Sequence, residues 1–187
     1  MEYQLQEKTL GQWVEHWAEV TPDKEFLVYS DRDLRFTWKQ FNKRVDDMAK
    51  GLLSIGVGRG THVGIWATNV PDWLTFVYAG AKIGAVLVTV NTNYKQSELE
   101  YLVQKSDLHT LWITEGVVDG SYIDMVNTML PELKNSQRGY LKSERFQTMK
   151  NVVYIGQEKY RGMYNTPELL LSGQNISDET LVEAKSK

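Results

Sequence analysis

A glycine-rich stretch, Gly56-Val57-Gly58-Arg59-Gly60, is the first place in this sequence where chemistry could be expected. Glycine-rich loops bind phosphates when they follow a strand and open a helix, because amides at the helix N-terminus then point at the phosphate. Here the order is reversed: a helical pattern precedes the glycines and a β-branched run, residues 61–66, follows them. The stretch therefore predicts a helix C-cap with a tight connection to a strand, and it disfavours a dehydrogenase-like dinucleotide domain.

Cysteine and histidine, which often act as nucleophiles and metal ligands, show no grouping in this sequence that would indicate a site. The chain has no cysteine, which excludes a disulfide, a thiolate nucleophile and a zinc–thiolate site. The three histidines are scattered at no spacing typical of a metal site or a catalytic triad, and we interpret them as structural: His16, His62 and His109.

Acidic residues occur in two pairs that we expect on solvated helix faces: Asp46 with Asp47, and Glu98 with Glu100. Asn69 follows a strand-like run and is the predicted N-cap of a helix that carries Pro71 near its start. A free helix N-terminus at that position can bind an anion, but a cap and a proline explain the pattern adequately. We therefore predict no catalytic, cofactor-binding or metal-binding residue in this chain.

The segment from residue 36 to residue 114 alternates between helical and strand-like periodicity. Its first helix follows the N-cap Thr37, ends at Gly56, and has an apolar face formed by Phe41, Val45, Met48, Ala49 and Leu52. Strands are predicted at residues 61–66, 85–90 and 110–114, with a helix at 72–83 that Gly84 stops and another from about residue 97. Strand, helix and strand at this spacing predict right-handed parallel crossovers, and hence an α/β fold with a mostly parallel sheet flanked by helices.

Further elements are predicted on both sides of this segment. Residues 10–20 form a helix capped by Thr9, interpreted as a lid over a sheet edge, with an apolar stripe of Leu10, Trp13, Val14 and Trp17. Residues 26–29 and 34–36 form a β-hairpin. Helices are expected at residues 122–130, at 167–171 and after the cap Ser177, and a strand at 151–155. We divide the chain into three parts. Residues 1–56 contain the N-terminal helix, the hairpin and the long helix, residues 57–160 form the α/β sheet subdomain, and residues 161–187 form the C-terminal loop and helices.

Composition limits the classes of function. The 187 residues carry a formal charge of −3 with basic and acidic residues interspersed, so nothing favours nucleic acid or an anionic membrane as a partner. Residues 73–90 are largely apolar, but Gly84 divides them into a helix and a strand, and Asp72 and Lys82 disfavour a membrane span. The first residues lack a basic and apolar targeting pattern, so the cytoplasm is the expected location.

An ordered set of short motifs over about eighty residues resembles the AMP-forming adenylating enzymes. That family comprises acyl- and aryl-CoA synthetases, peptide-synthetase adenylation domains and firefly-type luciferases. The motifs are Phe36-Thr37-Trp38, Ala49 with Leu52-Leu53, residues 56–63, Asn69 with Pro71, Ala79 with Lys82-Ile83-Gly84-Ala85, Asn91, and Glu98-Leu99 with Tyr101-Leu102. Val90-Asn91-Thr92-Asn93-Tyr94-Lys95 looks most like the fatty acyl-CoA synthetases.

The resemblance implies a ligase that joins a carboxylic acid to ATP, with magnesium, and then transfers the acyl group to coenzyme A. Three parts that the family uses have no counterpart here: the phosphate loop with its lysine, the ribose-binding aspartate and the lysine that engages the carboxylate–phosphate junction. The resemblance therefore implies the leading part of the large N-terminal domain of a fatty acyl-CoA synthetase, inactive alone, supplying scaffold and a wall of the acyl pocket.

Two alternatives stay open at this point. One is an aryl- or amino-acid-adenylating member of the same family, because specificity lies mostly in residues that this chain lacks. The other is a non-catalytic binding module that uses the same fold. If apolar side chains such as Trp13, Trp17 and Phe26 lack their natural cover, self-association is also expected.

Overall fold

The computed structural model describes residues 7–117 and 120–186. Its strands are β1 (Glu25–Tyr29), β2 (Leu34–Thr37), β3 (His62–Trp66), β4 (Val86–Thr89), β5 (Thr110–Ile113), β6 (Gly116–Val117), β7 (Gly120–Ser121), β8 (Asn151–Tyr154) and β9 (Tyr164–Asn165). Its α-helices are α1 (Leu10–Val20), α2 (Trp38–Ser54), α3 (Pro71–Lys82), α4 (Gln96–Lys105), α5 (Tyr122–Met129), α6 (Thr166–Gly173) and α7 (Asp178–Ser186). Short 3-10 helices occupy Ser30–Arg32 and Pro131–Lys134.

A five-stranded parallel sheet forms the centre, in the order β4-β3-β5-β8-β9. In its register Val63 lies opposite Leu87 on one side and opposite Thr110 on the other. Side chains alternate across β3, so Val63 and Ile65 enter one core while Trp66 enters the other. Helices α1, α2, α3, α6 and α7 cover the first face, and α4, α5 and the segment before β8 cover the second. The predicted parallel α/β sheet with helices on it is confirmed.

Most predicted elements are confirmed at nearly the predicted bounds. Local signals explain why: Thr9 with Gln12 and Thr37 with Gln40 form capping boxes that start α1 and α2. The predicted hairpin is the antiparallel pair β1 and β2. Ser177 accepts a hydrogen bond from the Thr180 amide (3.2 Å) at the start of α7, as predicted for a cap.

The prediction of a buried strand at residues 85–90 is wrong in its burial. β4 is the outermost strand of the sheet, and Val86 is 43% exposed. The reason is the strand order: β4 pairs with one side of β3, and the later strands of this sheet, β5, β8 and β9, lie on the opposite side. Among the described residues, no helix combines the length and apolarity needed to cross a bilayer.

The apolar stripe predicted for α1 is also wrong in part. Gly11 and Val14 face the core, whereas Leu10 is 52% exposed and Trp17 is 37% exposed. Helix α1 packs against α2 and α3, and not as a lid over a sheet edge. Trp17 instead stacks on Trp38 at the surface, with ring centroids 6.2 Å apart.

Helices α2 and α6 approach each other at two glycines. A Cβ atom added at Gly173 would lie 2.6 Å from the backbone nitrogen of Gly51. One added at Gly51 would lie 2.9 Å from the carbonyl oxygen of Leu169. Because no side chain fits at such distances, the two helix backbones pack in direct contact.

A buried cation, Lys82, joins four helices. The side chain is 1% exposed, and its ammonium group lies 2.6 Å from Asn42 Oδ1, 2.8 Å from Asp46 Oδ1 and 3.3 Å from Glu15 Oε1. Lys185 of α7 contacts the same two carboxylates, at 2.7 Å from Glu15 and 2.8 Å from Asp46. The expectation that Asp46 lies on a solvated face is therefore wrong, because its partners come from α3 and α7.

The other acidic residues differ from one another as well. Asp47 is exposed and pairs with Lys43 at 2.7 Å, which fits the solvated helix face. Glu98 is exposed as well, and it accepts a hydrogen bond from the Lys95 amide (2.9 Å) at the start of α4. Glu100 accepts one from Arg145 at 2.5 Å.

Replacing Lys82 by methionine tests the buried cluster. The Lys82→Met variant leaves Asp46 and Glu15 with Lys185 as their remaining cation, and breaking a buried ion pair destabilises a protein by about 3 kcal/mol. We expect a loss of that size in the free energy of unfolding, measured by urea denaturation. Lys43→Met, which removes an exposed pair on the same helix, is the control and should cost under about 1 kcal/mol. Equal losses in the two variants would contradict this account.

Candidate functional site

The order of the strands indicates where a site would lie. After β3 the chain places β4 on one side, and it then crosses back to place β5 on the other. Ligands of open α/β sheets bind beyond the carboxyl ends of the strands at such a switch point. The candidate site is therefore the edge formed by the residues that follow β3, β4, β5 and β8, which we call the carboxyl edge.

Two stacked aromatic rings lie at this edge. Trp66, at the end of β3, and Tyr122, at the start of α5, are fully buried with ring centroids 3.7 Å apart and planes 11° from parallel. The indole Nε1 donates to the carbonyl oxygen of Asn91 (3.0 Å), and the phenol donates to that of Thr92 (2.8 Å). Burial raises the pKa of Tyr122, so the phenol stays a neutral donor. The two rings thus fix the loop that follows β4.

That loop, residues 91–95, is held from within as well. Asn91 Oδ1 accepts a hydrogen bond from the Asn93 amide (2.9 Å), and the Asn91 carbonyl oxygen accepts one from the Tyr94 amide (3.1 Å). Turns of this kind satisfy the backbone locally. The loop at the end of β4 is therefore a defined surface of the carboxyl edge.

Two polar side chains at the ends of β5 and β8, Thr114 and Tyr154, are uncharged. Thr114 is buried, and its hydroxyl oxygen has no hydrogen-bond partner within the described part of the chain. Tyr154 packs edge-on against Tyr160, with ring centroids 4.8 Å apart. Burial, with Glu158 nearby, raises the pKa of Tyr154 far above its ordinary value, so it cannot act as a phenolate base. These groups can orient a ligand, but they cannot supply acid–base chemistry near neutral pH.

Next to them lies a shallow depression of about 400 Å³. It is lined by residues of the short β6–β7 ribbon and its neighbours: Glu115, Gly116, Val117, Gly120 and Ser121. The depression opens on the carboxyl edge, since this ribbon directly follows β5.

The helix N-terminus after β3 is not capped as predicted. The N-cap of α3 is Val70, which has no side-chain acceptor, so the prediction for Asn69 is wrong. The Val70 amide donates to the carbonyl oxygen of Thr68 (2.8 Å), a tight turn that moves the cap one residue along. Pro71 is the first helical residue, one position before the predicted start at residue 72. Asp72 follows in the first turn, where its charge already complements the helix dipole.

Asp72 also has a cationic partner. It pairs with Arg44 of α2, whose Nε donates to the Thr75 hydroxyl (3.2 Å). A carboxylate at the start of α3 disfavours a phosphate at the same place, because like charges repel.

The glycine-rich stretch lies at the opposite edge of the sheet, as its order in the sequence predicts. The Gly56 amide donates to the Leu53 carbonyl (3.1 Å) and the Val57 amide to that of Leu52 (3.0 Å), which forms a Schellman motif at the end of α2. Gly56 has a φ of +82°, the left-handed conformation that this motif requires. The predicted helix C-cap is confirmed.

The histidines lie apart, and each has local partners. His62 Nδ1 is 2.6 Å from the Ser106 carbonyl oxygen, and His109 Nδ1 is 2.9 Å from Thr110 Oγ1. His16 lies against two tryptophan rings of α1. Between residues 7 and 186, leaving out the undescribed 118 and 119, no three histidine or acidic side chains are grouped so that they could hold a metal ion.

The part of the site that the sequence analysis missed is the contact of Trp66 and Tyr122 with the loop at 91–95. Trp66 was predicted as a strand residue and Tyr122 as the start of a helix. Neither position carries a local pattern that indicates the other. The sequence signal that did point to this region is the motif at residues 90–95.

Comparison with known proteins gives a consistent picture. The family described as AMP-binding enzyme matches residues 14–167. YngI of Bacillus subtilis (strain 168), an acyl-CoA synthetase by name, is 43% identical over 180 residues, which are 96% of this chain and 33% of that protein. The human mitochondrial medium-chain acyl-CoA ligase ACSF2 is 36% identical over 151 residues, 81% of this chain and 25% of that protein. The chain thus spans a quarter to a third of these relatives.

A solved structure agrees in fold. A protein of Rhodopseudomonas palustris CGA009, described as a long-chain-fatty-acid CoA ligase, superposes with a TM-score of 0.70 at 23% identity. The superposition covers 89% of this chain and 37% of that one. At this identity the likeness concerns the fold alone.

Removing the Tyr122 hydroxyl tests the contact with the loop after β4. Tyr122→Phe keeps the stacked ring but leaves the Thr92 carbonyl without its donor, and the loss of such a partner costs about 1–2 kcal/mol. We expect that decrease in the free energy of unfolding by urea denaturation. Tyr140→Phe is the matched control, because Tyr140 is 72% exposed, and should change stability by less than about 0.5 kcal/mol. An unchanged Tyr122→Phe variant would contradict the assigned role.

His109 makes stability depend on pH. Burial lowers its pKa, and Lys150 lowers it further. The unfolded chain therefore binds a proton at higher pH than the native protein. The contribution of His109 to the free energy of unfolding is fully present above about pH 6.5, and it is lost as the pH falls through the lowered native pKa. The test is urea unfolding at about pH 7.5 and at about pH 5. Between these two pH values the free energy of unfolding should decrease less for His109→Gln than for the wild type. Parallel losses would disprove this prediction.

Proposed function

The chain belongs to the AMP-binding enzyme family, and we propose that it is the leading part of an AMP-forming fatty acid–CoA ligase. In the proposed reaction a carboxylate oxygen attacks the α-phosphate of ATP and displaces pyrophosphate. The thiol of coenzyme A then attacks the acyl carbon and releases AMP. The observation that carries the proposal is the 43% identity to the Bacillus subtilis acyl-CoA synthetase over 96% of this chain.

The choice of a fatty acid over an aryl or amino acid rests on two points. The motif at residues 90–95 looks most like that of fatty acyl-CoA synthetases, and the human relative is named for medium-chain acyl groups. The contact from Trp66 and Tyr122 holds this same loop at the carboxyl edge. We propose that the loop and its aromatic supports form part of the scaffold beneath one wall of the acyl pocket, in a protein of the cytoplasm.

The residues of the carboxyl edge do not by themselves fit the phosphates of ATP. Thr114 and Tyr154 are uncharged there, and the nearby helix α3 starts with the carboxylate of Asp72. Adenylation develops negative charge on the phosphates, which requires clustered cationic donors or a metal ion. We therefore assign no catalytic, cofactor-binding or metal-binding residue to the described part of the chain. ATP, magnesium and coenzyme A are proposed as ligands of the longer protein.

ATP–pyrophosphate exchange tests the proposal. The full-length gene product would be supplied in turn with short, medium and long fatty acids, aryl acids and amino acids. Exchange that is highest with fatty acids, with one preferred chain length, is expected. The 187-residue chain alone should show no exchange, and in calorimetry it should bind ATP no more tightly than about 1 mM.

Other outcomes identify the alternatives. Exchange that is highest with an aryl or amino acid would keep the family assignment and overturn the substrate class. No exchange with any acid would overturn the ligase and favour a non-catalytic binding module. Micromolar binding of ATP by the 187-residue chain would contradict its proposed inactivity.

A further inference from the structure

An apolar groove lies between the edge strand β4 and the helix α4. It encloses about 190 Å³ and is lined by Val88, Tyr94, Tyr101, Leu102, Lys105 and Ser106. Pockets for drug-sized ligands usually enclose ~300–1,000 Å³, whereas an apolar cavity of ~150 Å³ is enough for benzene. The groove therefore suits a single narrow aliphatic chain.

The hydroxyl of Ser106 in the lining is already bonded. The Ser106 hydroxyl donates to the carbonyl oxygen of Leu102 (2.6 Å). Val86 lies two residues before Val88, hence on the same face of β4, and is 43% exposed. The lining thus continues along the edge strand as an exposed apolar strip, which water solvates poorly.

Lys105 provides the cation at one end of this groove. It lies in the last turn of α4, and within residues 7–117 and 120–186 it forms no ion pair with a carboxylate. The two acidic residues of α4 are engaged elsewhere, Glu98 with the Lys95 amide and Glu100 with Arg145. A free cation next to an apolar lining is complementary to a molecule with a carboxylate head and an aliphatic chain.

We propose that this groove binds an aliphatic carboxylate, with its chain between β4 and α4 and its head at Lys105. Because α4 begins after the carboxyl end of β4 and ends before the amino end of β5, Lys105 lies at the opposite edge of the sheet from the candidate site. The head of the bound acid is therefore far from the proposed reaction. The groove is a second site for the acid, beyond the proposed function, and Tyr94 connects its far end to the loop at residues 91–95.

The test is binding of unbranched carboxylates of increasing length to the 187-residue chain, without ATP and below the micelle concentration of each acid. Methyl signals of valine and leucine in NMR spectra locate the ligand, and those of Val88 and Leu102 should shift. Each further methylene should tighten binding about two- to fourfold until the groove is full. An alcohol of the same length should bind more weakly than the acid.

Variants separate the role of the cation from that of the apolar lining. Lys105→Met keeps an aliphatic stem without charge. It should weaken binding of the acid about two- to fivefold without affecting binding of the alcohol. Lys142→Met, at an exposed lysine outside the groove, should behave as the wild type. Val88→Thr places a hydroxyl in the lining and should weaken the binding of the acid and of the alcohol alike.

Three results would overturn the proposal. The first is affinity that does not depend on chain length, and the second is an acid affinity that Lys105→Met leaves unchanged. The third is a shift of the Val88 and Leu102 signals with protein concentration alone, which would indicate self-association along β4. Because the assay contains no ATP, it succeeds or fails independently of pyrophosphate exchange by the full-length protein.

Discussion

The helical layer on one face of the sheet depends on how a single buried ammonium group is satisfied. Taking Lys82 out of water is costly, and the cost is offset only if hydrogen-bond acceptors surround it. Two of its three acceptors come from α2 and one from α1. The two carboxylates among them carry two negative charges, and Lys185 of α7 supplies the second positive charge. Any displacement of these helices would leave a charge unpaired. Their mutual positions are therefore tightly specified.

The same cation explains a small residue on α1. A Cβ atom at Gly11 would lie 2.7 Å from Lys82 Cγ, so only glycine lets α1 approach α3 closely enough for Glu15 to reach the ammonium group. On the other face of the sheet, Trp66 and Tyr122 fix the loop after β4 with two neutral donors. This part of the proposed ligase thus contributes shape and fixed dipoles. The charge that the proposed adenylation requires has to be supplied by residues outside the described part of the chain.

The elements were predictable where their signals are local, and the errors arose where distant partners decide. The helix α2 could be placed because Thr37, Gln40 and its apolar face lie within one stretch of chain. The environment of Asp46 could not be predicted, because its partner Lys82 is 36 residues away. The exposure of β4 follows from the strand order, which periodicity does not contain. Likewise, residues 90–95 were singled out as a family motif and not as a site, and Tyr122, which supports that loop, lies on another element.

The direct contact between α2 and α6 has a consequence for biosynthesis. The chain leaves the ribosome from its N-terminus, and domains fold as units at ~5–20 residues per second of synthesis. Gly51 is therefore made on the order of ten seconds before Gly173, the residue against which it packs. During that interval α2 can pack against α1 and α3, but the side that α6 covers has no partner. Until α6 has been translated, this side of α2 stays exposed, and the nascent chain is then most prone to non-native contacts.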